Sequence, residues 1–90
     1  MRANLRRLNM RWATYSARYV HSGWKGNVLL RDVTGPEGVT VDHLWVRGEH
    51  WHGIPHESGD SVTFRARAEP YFRDDGTKDW SLFCCSERWP

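Results

Sequence analysis

Ser61-Val62-Thr63-Phe64-Arg65-Ala66-Arg67-Ala68 (SVTFRARA) is the stretch that decides the fold. Val62, Phe64, Ala66 and Ala68 alternate with Ser61, Thr63, Arg65 and Arg67, and a period of two puts the first set on one face of a strand and the second on the other. The apolar face packs; the basic face meets solvent or a ligand. Gly59-Asp60 turns the chain into this strand, and Glu69 to Lys78 (EPYFRDDGTK) leaves it through a loop marked by Pro70 and Asp75-Gly76.

Outward from this strand the same reasoning finds four more. Asp79 to Ser86 (DWSLFCCS) reads as a strand with apolar residues on both parities, which predicts cover on both sides. Upstream, Arg11 to Val20 holds Ala13, Tyr15, Ala17 and Tyr19 on one parity, and Asn27 to Val33 and Val39 to Arg47 complete three consecutive strands. His21 to Gly26 (HSGWKG) and Thr34 to Gly38 (TGPEG) are the loops between them. Gly48 to Gly59 follows neither period, so a short helix or irregular segment is expected there. Residues 1–10 carry only a weak apolar stripe, Leu5, Leu8 and Met10, and read as a flexible or loosely docked basic arm; residues 87–90 read as a tail.

Three strands, a crossing segment and two more strands over residues 11–86 predict an all-β domain. The layout resembles the five-stranded OB-type Greek-key barrel, and GDSVTFRA resembles the fourth strand of such domains. The stretches LLRDVTGPEGVTVDHLW and GDSVTFRARAEPY also resemble short OB-like proteins of bacteriophages and bacterial mobile elements. That resemblance implies a fold and a phage or prophage setting, and no catalytic residues.

Composition narrows the function classes. Ninety residues support one core, too small to enclose Trp12, Trp24, Trp45, Trp51, Trp80 and Trp89 together, so some indoles face solvent. Residues 1–31 carry seven basic and no acidic side chains, a charge of +7, while the other 59 residues carry −5, an asymmetry suited to an acidic partner. Adjacent Cys84 and Cys85 exclude a disulfide framework. The basic start has no apolar run behind it, and no stretch is long and apolar enough to span a membrane, so a cytoplasmic protein without a membrane partner is expected.

Few residues have the spacing of known chemistry. His50, His52 and His56 match no zinc module, Asp42 and His43 are adjacent and should point to opposite faces of their strand, and no phosphate loop or nucleophile elbow is present. The expectation is a binding protein without catalysis, metal or cofactor. OB barrels bind ligands across strands 2 and 3 and between loops 1-2 and 4-5. Here loop 1-2 offers Trp24 and Lys25, and loop 4-5 offers Tyr71, Phe72, Arg73 and Lys78; Arg65 and Arg67 extend a basic track, with Arg47 and Arg18 as weaker members. Aromatic faces stack on bases and cations neutralise phosphates. Trp24, Lys25, Arg65, Arg67, Tyr71 and Arg73 are therefore the predicted nucleic-acid contacts, on single-stranded or structured DNA or RNA. Asp74, Asp75 and Asp79 argue against phosphate beside loop 4-5. The alternative partner is a protein, met by an accessory or anti-defence factor through exposed Trp51, Trp80 and Trp89.

Overall fold

A computed structural model describes residues 2–87, with side chains from residue 4 onward. Six strands form one mixed sheet: β1 (Trp12–Ser22), β2 (Val28–Thr34), β3 (Thr40–Val46), β4 (Trp51–His52), β5 (Ser61–Phe72) and β6 (Lys78–Ser86). The spatial order is β3-β2-β1-β5-β6-β4, antiparallel throughout except that β4 pairs in parallel with β6. All-β architecture is thus as predicted, and β5 and β6 are the predicted fourth and fifth strands. The unexpected member is β4. It follows β3 after a single 3₁₀ turn, Gly48–His50, and the rest of the crossing to β5 is irregular. No helix among the described residues is long and apolar enough to cross a membrane.

The predicted inward faces are the ones that pack. Tyr15, Ala17 and Tyr19 of β1 and Val62, Phe64, Ala66 and Ala68 of β5 are buried, and the rings of Tyr15 and Phe64 stack with centroids 5.9 Å apart. The Tyr15 hydroxyl has no hydrogen-bond partner among the described residues, and burial pushes its pKa up to about 12, so it stays neutral.

Strict alternation breaks in β2 and in β6 at a non-glycine residue in the left-handed region, and in β3 opposite the first of these. In β2, Leu30 and Val33 are both buried because Asp32 sits at φ 51° and the β1–β2 register slips between Ser16 and Arg18. In β6, Leu82 and Cys85 are both buried because Cys84 sits at φ 54° and the β5–β6 register slips between Arg65 and Arg67. The reading of β6 as covered on both sides holds at adjacent Ser81 and Leu82, both buried, and is corrected beyond them by the bulge. A bulge moves apolar residues of opposite parity onto one face, and Phe83 and Cys84 remain only half buried.

The N-terminal reading is corrected as well. Residues Arg2–Leu8 form a 3₁₀ segment that packs against β3, β5 and β6, with Leu5 and Leu8 fully buried in the core. Asn4 Nδ2 donates to the Thr40 carbonyl at 2.8 Å, and Met10 N donates to the Ala68 carbonyl at 2.7 Å. Two leucines three residues apart fall on one face of a three-residue turn, which is enough to dock so short a segment.

At the other end of the core, the irregular crossing is clamped by His56, whose side chain is only 10% exposed. Its Nε2 lies 2.9 Å from Glu87 and its Nδ1 3.4 Å from Asp60, and its ring packs on Tyr19.

Candidate nucleic-acid interface

The β1–β2 and β2–β3 connections have the same backbone. In Trp24–Gly26, Lys25 sits at φ 58°, ψ 26°, and in Pro36–Gly38, Glu37 sits at φ 59°, ψ 29°. The glycine after each is also left-handed, and Asn27 N closes on the Trp24 carbonyl at 3.2 Å as Val39 N closes on Pro36 at 3.1 Å. Two successive positive φ values define the hairpin turn whose twist matches paired strands.

The first of these turns borders a groove. Asn27 at the start of β2, Trp45 and Arg47 at the end of β3, and Tyr71, Phe72 and Phe83 of the β5–β6 hairpin line a space of about 370 Å³. A second hollow of about 510 Å³ lies under the turn, between Trp24, Lys25 and Glu49, and shares Asn27 and Arg47 with the groove. The Asn27 side-chain oxygen accepts the Gly48 N–H at 2.9 Å, which ties the floor together. Gly48 is required there, because a Cβ would run into the Lys25 carbonyl oxygen.

Three aromatic faces around this space are open: Trp24 is 79% exposed, Phe72 73% and Trp45 42%. Trp45 and the groove wall are held from behind. Trp45 rests beside Gly23 and meets the His21 ring edge-on at 5.4 Å, and His50 meets Phe83 edge-on at 4.8 Å. Lys25 Nζ lies 4.5 Å from the Trp24 ring centroid. Arg47 is 3.7 Å from Glu49, and both side chains are well exposed, so this pair is weak and Arg47 remains available.

The six predicted contacts do not gather in one place. Trp24 and Lys25 sit on the turn, and Tyr71 lines the groove from β5, which runs on to Phe72 rather than ending at Ala68. Pro70 is tolerated in that strand because β1 has ended by Arg67, leaving only β6 to pair there. Arg73 closes the β5–β6 hairpin, with Nε and Nη2 both donating to Asp79 Oδ2. Asp75 accepts from Thr77 N and Oγ1, and that hydroxyl bond holds its carboxyl below the usual range. Arg67 Nε donates to Glu69 at 2.7 Å and its guanidinium lies 5.5 Å from the Trp12 ring, while Arg65 is exposed on the outer face of β5.

Trp45, His50 and Phe83 were not singled out as contacts. Trp45 was legible, since it stands on the outward parity between buried Leu44 and Val46. Phe83 and His50 were not, because the bulge at Cys84 and the short β4 set their positions. Two of the alternative docking residues are not exposed: Trp51 and Trp80 are half buried against the core, Trp51 edge-on to Phe64 at 5.3 Å and Trp80 donating from Nε1 to Asn9 at 3.1 Å. Trp89 lies outside the described residues.

Elsewhere, the expected separation of Asp42 and His43 is overturned. His43 Nδ1 lies 3.0 Å from Asp42 Oδ2, and this bond holds the Asp42 carboxyl below its ordinary value. Both side chains are exposed because inward Val41 and Leu44 are three residues apart, opposite the Asp32 bulge. The pair stands outside the groove lining. Among the described residues no three His, Cys, Asp or Glu side chains come together as metal ligands would. Compared with models of known protein families, with curated proteins and with solved structures, the chain matches none.

Proposed function

We propose that the chain is an OB-type module that binds single-stranded nucleic acid, without catalysis, by stacking bases along the groove beside the β1–β2 turn. The fold reading is supported by the pairing order. β4 continues β3 and pairs with β6, the strand at the far end of the series, as expected where a five-stranded barrel closes through a broken third strand. In such a barrel the groove falls between the loops and strands that bind ligands.

The observation that carries the binding reading is the set of exposed rings of Trp24, Trp45 and Phe72 around one groove, with Lys25 and Arg47 at its rim. Open aromatic faces accept any base, at about 1–3 kcal/mol per stacked base, and the two cations supply phosphate contacts. Arg73 and Arg67, committed to Asp79 and Glu69, contribute orientation of the hairpin rather than charge. The test is fluorescence anisotropy of labelled single-stranded DNA and RNA, with Trp24→Ala and Trp45→Ala measured alongside. Each variant should weaken binding roughly fivefold to 150-fold. Absence of binding at low salt, or variants that bind as the parent does, would overturn the proposal.

A further inference from the structure

The outer face of the sheet is arranged in rows that the register makes explicit. Thr63, Ser16, Thr34 and Thr40 lie side by side across β5, β1, β2 and β3, and the next row holds Ser61, Arg18, Arg31 and His43. Arg65 stands opposite Thr14 on the other side of the hydroxyl row. All of these side chains are exposed. A shallow trough of about 590 Å³ covers Trp12, Thr14, Ser16, Thr34 and Thr63, with Arg11 at its end.

The charges on this face are not balanced within the fold. Arg18 is directly opposite Arg31, an arrangement that repels unless an anion sits between the two. Among the described residues no carboxylate pairs with Arg18 or Arg65, and Arg31 has only Asp42, at 4.0 Å. Arg65 and the Arg18 row are four residues apart along the strands, about 13 Å, a distance that about four stacked nucleotides span. Serine and threonine hydroxyls between them are donors suited to phosphate oxygens. Arg67 stands between the trough and the aromatic groove: it lies over Trp12, which lines the first, and is the register partner of Phe83, which lines the second.

We infer that the outer face of β5, β1 and β2 is a second binding surface, one that carries the phosphate backbone of a nucleic-acid strand whose bases occupy the groove. The inference rests on the reading of the groove given above. It also assigns a role to two arginines of the basic first third of the chain, Arg18 and Arg31, which belong to this face.

The experiment titrates labelled oligothymidylates of about four and about twenty nucleotides at ~50 mM and ~200 mM salt, against the parent and the triple variant Arg18→Gln/Arg31→Gln/Arg65→Gln. The triple variant should lose at least tenfold affinity for the long strand at low salt, lower its salt slope by about 2, and bind the short strand within twofold of the parent. Removing two cations off the face, Arg6→Gln with Arg7→Gln, should cost less than threefold on either strand. A triple variant that keeps its long-strand affinity and slope overturns the inference, as does a parent that binds neither strand. A parent that binds only the long strand, through these arginines, sustains the second surface and defeats the groove.

Discussion

Lys25 and Glu37 occupy equivalent positions in turns of the same geometry, one at each end of β2, yet their charges meet different ends. Glu37 is received by the fold. Its carboxylate takes Arg11 at 3.0 Å and its carbonyl takes Arg7 at 3.2 Å, so the turn anchors the N-terminal segment. Among the described residues the Lys25 ammonium meets only the ring of Trp24, and the pair projects beside the groove. The backbone of a hairpin turn therefore says little about whether it is structural or functional. What decides is whether the charge at its left-handed position finds a partner within the fold.

The most severe way to probe that contrast is to add one methyl group behind each turn. A Cβ at Gly35 would lie 2.6 Å from the buried Tyr15 ring, and a Cβ at Gly48 would meet the Lys25 carbonyl. Both Gly35→Ala and Gly48→Ala should cost about 1–3 kcal/mol in a urea titration, as overpacking does. Only Gly48→Ala should also weaken oligonucleotide binding in conditions where the variant is folded, because only it displaces Trp24. Equal binding losses from the two would mean that the turns do not differ in role.

A milder contrast comes from neutralising each charge. Glu37→Gln should lower stability by about 0.2–1 kcal/mol, the worth of an exposed ion pair, and leave oligonucleotide affinity unchanged. Lys25→Gln should do the reverse, holding the urea midpoint while affinity falls several-fold at low salt. The reversed pattern, seen by anisotropy and urea denaturation together, would break the comparison.

How far the sequence carried the reading depends on whether local pattern or distant contact set each feature. β1, β5 and the Gly-containing turns are legible because alternation and turn chemistry act over a few residues, and Trp24 with Lys25 is legible for the same reason. The bulges at Asp32 and Cys84 are not, since cysteine gives no local signal for a positive φ and aspartate, which tolerates one, does not dictate it in mid-strand; the slips are set by pairing with strands far away in sequence. From those slips follow the burial of Cys85, the placing of Phe83 in the groove and the meeting of Asp42 with His43. The docking of Leu5 and Leu8 was hidden because two leucines make no periodic pattern until the gap they fill is known.

The smallest expected effect separates the turns by strain alone. Asparagine tolerates the left-handed region better than lysine or glutamate does. Lys25→Asn should raise stability by about 0.5–1 kcal/mol, whereas in Glu37→Asn the lost Arg11 contact should cancel the gain. Urea midpoints that move together would show that the ion pair at Glu37 contributes nothing.

Leu5 and Leu8 enter a core whose other wall includes Leu82 and Cys85, so the earliest and latest parts of this domain are neighbours in space. On the ribosome the consequence is one of timing. The N-terminal segment of the domain precedes all three strands it docks against, β3, β5 and β6, and its site is complete only when β6 follows, nearly the whole domain later. Through that interval the two leucines lack part of their cover, and the many arginines around them are the residues that keep such an apolar nascent segment in solution.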